Sequence, residues 1–389
     1  MLCFLLDGGE RVFVLDFFRG VLYTVFCSCE PFAISMWKKR VFVNMKSGSF
    51  EEVSRFSRVS RVKRVVAGFL SVAFLSGAMG VLSGCKKRGF GKDAEGKVKV
   101  VASIYPMYDF VKRIGGDLVA VKMLVPAGTE PHSWEPSTRD MQDLEEADLF
   151  VYNGAGMEAW ADDLLGTIQN KDLIAVEASK DVSLLKTEEV HHDAHEDEDH
   201  DEDHEDHDEE GHHHHGEYDP HVWLSPKNAE IELSAIADAL IEKDPEHADT
   251  YRKNLEEAKK ECEALDSAFE AELAPYKGGY IVVAHEAYGY LCKEYGIKQI
   301  GIEGVSADQE PDAARMREII DMVREYGIKC IFFEELVDPK VAKSIADETG
   351  CKTMALSPLD GLTKEDIDSG RDYFSVMKDN LQALVDSFQ

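Results

Sequence analysis

Fourteen histidines stand in this chain, and their placement carries more chemistry than their number. Ten of them fall in one polar run: His191, His192, His195, His200, His204, His207, His212, His213, His214 and His215. Sixteen Asp and Glu residues lie among them over residues 188–217, and no Lys or Arg interrupts. Neutral imidazole is a borderline donor that suits Zn, Cu, Ni and Fe, and carboxylates add charge and further donor atoms. A run with so few apolar side chains cannot bury enough surface to offset its ordering entropy. It is therefore expected to be a disordered, metal-binding loop. An acidic solubilising loop is the plainer alternative, but solubility alone does not call for four imidazoles in a row at residues 212–215.

Three of the other four histidines have positions suited to ligand binding. His132 lies in Glu130-Pro131-His132-Ser133-Trp134, shortly after an apolar run of strand length. His221 lies in Asp219-Pro220-His221-Val222-Trp223, just before a helix. His285 directly follows an expected strand, and so, a few residues on, does Asp360 in Ser357-Pro358-Leu359-Asp360-Gly361. Only His247 falls within a helical stretch. In open α/β sheets, ligands bind beyond the carboxyl ends of the strands. Three imidazoles and one carboxylate make a four-coordinate set, the geometry Zn2+ prefers. With every position supplied by protein there is no open place for a reacting water, so such a site binds rather than catalyses. The four residues are 64 to 89 positions apart in sequence. Spacing alone also admits four unrelated polar loop residues.

The elements that would carry these residues alternate between strand and helix. From residue 98 the pattern reads strand 98–103, helix 107–114, strand 118–125, helix 137–146, strand 148–152, helix 157–168 and strand 173–176. Ser137 is the expected cap of the second helix. Order resumes at residue 218, and Ser225-Pro226 opens another helix. Apolar or small residues at Tyr251, Leu255, Ala258, Cys262, Leu265 and Phe269 form a helical stripe through residues 246–273. A second series follows Pro275: strand 280–284, helix 286–295, strand 297–302, helix 312–326, strand 328–334, helix 339–348, strand 352–356 and helix 373–387. The expected fold is α/β, with two lobes that each hold a parallel sheet flanked by helices. One long backbone helix joins them, leaving a cleft. The expected divisions are 1–84 (leader), 85–97 (polar tether), 98–245 (first lobe, with the His-rich run), 246–274 (linking helix) and 275–389 (second lobe).

The net charge is -32, from 43 Lys and Arg against 75 Asp and Glu. That sign argues against nucleic acid and anionic membrane surfaces and suits cations. The leader is basic instead. Arg58, Arg61, Lys63 and Arg64 precede an apolar stretch at 65–81, which reads as a secretory signal. An uncleaved anchor is the alternative. About 60 residues come before that signal, so Met45 is a candidate start. Beyond the leader lie Cys85, Cys262, Cys292, Cys330 and Cys351, none with CxxC spacing. A cysteine-based zinc site is therefore not expected. Cys330 and Cys351 each open an expected strand and could pair if those strands are neighbours; isolated buried thiols are the other reading.

Leu82-Ser83-Gly84-Cys85 resembles a bacterial lipobox, which implies cleavage before Cys85 and lipid attachment to its sulfur. Four further blocks resemble the signatures of the metal-binding solute receptors of ABC transporters, the zinc/manganese cluster. They are Glu130-Pro-His-Ser-Trp-Glu-Pro-Ser137, Asp219-Pro-His-Val-Trp-Leu-Ser225, His285-Glu-Ala-Tyr-Gly-Tyr290 and Leu356-Ser-Pro-Leu-Asp-Gly-Leu362. Their texture is nearest to the zinc receptors. The resemblance implies metal ligands at His132, His221 and His285, with Asp360 as a carboxylate fourth. It also implies an accessory His-rich loop between the first two ligands.

The implied function is an exported, lipid-anchored monomer, periplasmic or on the cell surface. It would capture Zn2+ between its lobes and pass the ion to a membrane permease driven by a separate ATPase. The chain has no GxxxxGK[ST] motif of its own. A manganese receptor binding Mn2+ with the same fold is one alternative. A metal-buffering surface adhesin is another. A zinc hydrolase is a third, although HExxH is absent. Glu286 and Glu335 are candidate partners for the ligand imidazoles. Trp134 and Trp223 are read as packing residues that shape the cleft.

Overall fold

The two series of strands seen in the sequence become two sheets of the same design. The computed structural model describes residues 2–5, 11–15, 23–27, 89–187, 217–305 and 311–389. The chain divides into two compact units at residue 85. In the first, Leu2–Leu5 (β1), Arg11–Leu15 (β2) and Tyr23–Cys27 (β3) pair as an antiparallel sheet. These segments are rich in β-branched and aromatic residues, which favour extended backbone.

In the second unit the first sheet is Val98–Ala102 (β4), Val119–Met123 (β5), Leu149–Tyr152 (β6) and Ile174–Glu177 (β7). All pairings are parallel and the order is β5-β4-β6-β7. The crossovers include Tyr105–Gly115 (α1), Thr138–Glu145 (α2) and Ala161–Thr167 (α3). Val100, Val101 and Ala102 are buried on both faces, as parallel strands between helices must be. Ser137 caps α2 in a capping box with Asp140, as its position suggested. Helix α3 begins four residues later than expected, because Gly154, Ala155 and Gly156 take positive φ and residues 155–160 form turns.

Pro226–Lys243 (α4) and Ala248–Leu273 (α5) follow the first sheet. The 26 residues of α5 span about 39 Å at 1.5 Å per residue. Its buried residues are Tyr251, Ala258, Cys262, Leu265, Phe269 and Leu273, one stripe at helical spacing. The second sheet is Tyr280–Val283 (β8), Lys298–Gly301 (β9), Cys330–Phe333 (β10) and Lys352–Ala355 (β11), parallel and in the order β11-β10-β8-β9. Around it lie Gly289–Tyr295 (α6), Ala313–Glu325 (α7), Lys340–Thr349 (α8), Lys364–Ser369 (α9) and Tyr373–Phe388 (α10). Helix α9 was not expected; it is a six-residue turn capped by Thr363, too short for an apolar periodicity.

Each sheet thus starts with a central strand, adds its second strand on one side and its third and fourth on the other. The crevice at such a reversal opens at the strands' carboxyl ends. The four described cysteines are free thiols, so the pairing considered for Cys330 and Cys351 is not made. The register sets Cys330 opposite Lys352, and strand alternation turns the preceding Cys351 to the other face. Among the described residues, no helix is long and apolar enough to cross a membrane.

Candidate metal centre

Four donor groups from four separate loops meet within 4.8 Å of one another: His132, His221, His285 and Asp360. His132 comes from the loop between β5 and α2. His221 precedes a turn of 3-10 helix, Val222–Leu224, that leads into α4. His285 lies just past β8, and Asp360 lies past β11. His221 and His285 are fully buried and Asp360 is 5% exposed, whereas His132 is partly exposed. His132 is thus the side of the cluster nearest to solvent.

The spacing is that of donors around an ion. The Nε2 atom of His221 is 3.2 Å from Nε2 of His132 and 3.2 Å from Nε2 of His285. Two tetrahedral nitrogen donors at Zn–N distances of about 2.0–2.1 Å are held roughly 3.3 Å apart. Ring centroids in the trio are 5.0 to 5.6 Å apart, so the imidazoles converge edgewise rather than stack.

Carboxylates behind the rings choose which nitrogen faces inward. Asp219 Oδ1 lies 2.8 Å from His221 Nδ1 and also accepts the His221 backbone N–H at 3.0 Å. Glu334 Oε1 lies 2.6 Å from His285 Nδ1. A metal on Nε2 requires the ring proton on Nδ1, where these oxygens accept it. Glu130 accepts the backbone N–H of His132 at 2.8 Å and that of Ser133 at 3.0 Å, which fixes the local loop.

The second pairing corrects the sequence reading for Glu335, which was a candidate partner of a ligand imidazole. Glu334 follows β10 directly, and β10 lies beside β8, with Ile331 opposite Val282. Counting three residues along each strand sets Glu334 level with His285. Glu335, one residue on, turns away and is exposed. Glu286 lies over Gly301, where an added Cβ would sit 2.2 Å from its Cγ. Asp219 stands in the same motif as His221, and its place two residues before that histidine is the signal the sequence offers for it. The tryptophans behave as packing residues. Trp134 meets Trp160 edge-on at 5.4 Å, and buried Trp223 donates from Nε1 to the Pro358 carbonyl at 2.8 Å.

Burial sets the electrostatics. Burial, and then the neighbouring His285 and His132, push the His221 imidazole well below its ordinary value. Burial lowers His285 too, but the Glu334 charge and hydrogen bond outweigh it and raise His285 to about 9. Asp360 is pushed up to about 7, first by burial and then by Glu334. Positive charge at the centre of this cluster would relieve all three strains, because it favours neutral imidazole donors beside ionised carboxylates.

Asp360 is held by an unusual backbone. Leu359 takes φ +60, a left-handed conformation costly for a leucine, and its N–H donates to Ser357 Oγ. The same loop touches the first half of the unit. Gly128 N–H donates to the Leu362 carbonyl at 2.8 Å, and Tyr105 N–H to the Asp360 carbonyl at 3.4 Å. Cys85 and the ten histidines of the polar run, His191 through His215, lie outside the described residues. The fourteenth, His247, leads into α5 and pairs with Asp244 at 2.7 Å, apart from the cluster.

Comparison with known proteins places the chain in a family. A family model described as zinc-uptake complex component A, periplasmic (ZnuA), matches residues 100–387. The zinc-binding protein AdcA of Streptococcus pyogenes is 42% identical over 292 residues, covering 75% of this chain and 56% of that protein. The chain thus spans little more than half the length of that relative. The high-affinity zinc uptake system protein ZnuA of Bacillus subtilis is 39% identical over 296 residues, 76% of this chain and 89% of its own. Among solved structures, the Zn(II)-bound ZnuA-like domain of Streptococcus pneumoniae AdcA superposes with a TM-score of 0.62 at 37% identity. That match covers 75% of this chain and 99% of that domain.

Proposed function

We propose, since the chain belongs to the ZnuA family of zinc-uptake components, that it captures Zn2+ between its two sheets for an ABC importer. His132, His221, His285 and Asp360 are the ligands in this reading. The observation that carries it is the convergence of three Nε2 atoms and one carboxylate on a single point, two of them 3.2 Å from the third. Three nitrogens favour Zn2+ over Mn2+ by the general order of divalent affinities. Four protein donors leave no coordination position for a reacting water, in keeping with a receptor rather than a hydrolase.

The ion is cargo in this scheme, and the protein's part is to bind and release it. Loops from both sheets supply ligands, so separating the sheets would dismantle the coordination set and free the ion. The permease and its ATPase are separate proteins. The Cys85 lipobox would anchor the exported chain at a membrane, and the His-rich run would gather metal at lower affinity. The chain would act as a monomer, with the divisions near residues 98, 245 and 275 separating its tether, lobes and linking helix.

The test is zinc calorimetry on the chain with residues 188–216 replaced by a short turn, beside the same chain carrying His285→Ala. Thr187 N–H donates to the Glu217 carbonyl at 3.1 Å, so the flanking residues are close enough for such a closure. One tight site that His285→Ala abolishes is the expected result. Loss of the tight site with the replaced segment itself would assign metal binding to the His-rich run.

A further inference from the structure

Tyr290 lies in the first turn of α6, five residues after His285, and is 5% exposed. Its hydroxyl donates to the Asp219 carbonyl at 2.8 Å and accepts the Leu185 N–H at 3.0 Å. Those two residues are partners themselves. Asp219 N–H donates to the Leu185 carbonyl at 2.9 Å, Lys186 and Tyr218 form an antiparallel bridge, and Thr187 N–H donates to the Glu217 carbonyl. Asp219 then holds His221 by both its backbone N–H and its Nδ1. One phenol beside the second sheet therefore pins a short isolated ladder that follows the first sheet in the chain, at the residue that orients His221.

A hydroxyl can donate and accept at once, which this bridge requires and a phenyl ring cannot do. Buried backbone groups need such partners, and without one the ladder would be free to shift. A displacement of Asp219 moves the acceptor of the His221 ring. It also detaches the position of His221 from the helix that starts beside His285. Metal donors must be held within a few tenths of an ångström of productive geometry, so this attachment bears on affinity.

We propose that Tyr290 is a positioning residue for His221: acting through Asp219, it ties the placement of one ligand histidine to the helix that follows another. The proposal rests on the reading of His221 and His285 as zinc ligands.

The full chain, Tyr290→Phe, Asp219→Ala, the double variant and a His285→Ala control would be compared. Zn2+ affinity is measured against a competing chelator, and Co2+ serves as a coloured probe of coordination. Tyr290→Phe is expected to weaken the site that His285→Ala abolishes by roughly 10-fold and to alter its Co2+ visible bands. In the Asp219→Ala background the same change is expected to add little, because the acceptor of the His221 backbone N–H and Nδ1–H is already gone. In the unaltered chain, Zn2+ is expected to slow amide exchange at Leu185, a readout that holds even if a variant folds poorly.

Parent affinity and parent Co2+ bands in Tyr290→Phe would overturn the proposal. So would fully additive losses in the double variant, or Leu185 exchange indifferent to Zn2+. A parent chain with no site sensitive to His285→Ala would overturn the zinc reading as well, which separates the two failures.

Discussion

His285 Nδ1 lies 2.6 Å from Glu334 Oε1, and both residues are buried at the ends of adjacent strands, β8 and β10. Forty-nine residues separate them in the chain. The parallel pairing alone brings them together, and it sets a negative charge behind the imidazole that would face the metal. Glu334→Gln keeps the size of the side chain and removes that charge. We expect zinc affinity to fall about 10- to 100-fold, the usual cost of losing such a partner. Calorimetry at pH 7.5 checks this; an unchanged affinity would show that Glu334 does not support the site.

Proton competition follows from the same pair. In the metal-free protein His285 is raised from 6.5 to about 9, against the effect of burial. Zinc must displace that proton, so affinity is expected to rise with pH until about 9. Asp360, raised to about 7, adds a second proton to displace below that value. Binding at pH 7.5 should release protons, seen as a dependence of the apparent enthalpy on buffer ionisation heat. Equal apparent enthalpies in phosphate and Tris would contradict it.

Stability of the metal-free protein has its own sign. A histidine raised on folding stabilises fully below its unfolded value, 6.5, and loses that contribution as pH rises through about 9. A carboxyl raised on folding prefers its neutral form, so Asp360 costs stability as pH climbs from 3.8 through about 7. Both act in one direction. The melting temperature of the metal-free chain should drop between pH 6.5 and 9, and saturating Zn2+ should flatten that slope. Melting curves at four pH values, with and without metal, decide it.

Glu232 on α4 is fully buried, and neither of its carboxyl oxygens has a hydrogen-bond partner. Burial, with a smaller contribution from Glu158, raises it well above its ordinary value. A raised acid destabilises the folded chain increasingly as pH rises above its unfolded value of 4.5. Glu232→Met, of similar length, should stabilise the protein by about 1–3 kcal/mol at pH 7. The gain should shrink at pH 4.5. Denaturant titrations at both pH values would show it, and a loss of stability in the variant would reveal a partner for Glu232.

Gly301 ends β9 where no side chain fits. A Cβ there would lie 2.2 Å from Glu286 Cγ and 2.4 Å from the Glu303 carbonyl. Since the second contact is backbone, it cannot be relieved by turning a side chain. Gly301→Ala is expected to cost about 1–3 kcal/mol or more and to disturb the turn after His285. A thermal melt within 1 °C of the parent would be the contrary outcome.

The sequence alone determined most of the elements beyond residue 98 and marked the candidate donors. Strand-length apolar runs, the caps at Ser137 and Ser225 and the stripe from Tyr251 to Phe269 gave both sheets and the long helix, because these signals are local. Histidines outside the polar run are few, so their positions near element ends marked His132, His221 and His285 as candidates. The tertiary structure alone decided what stands behind the donors. Whether Glu334 or Glu335 supports His285 depends on the register of β10 against β8, which shifts every side chain if it moves by one residue. The same holds for Cys330 and Cys351, neighbours that strand alternation keeps on opposite faces. Tyr290 showed only as an aromatic in a motif, since its role depends on a hydroxyl reaching Leu185 and Asp219, 105 and 71 residues away. Contacts between distant segments leave no periodic trace in the chain, and these contacts hold the candidate metal donors in place.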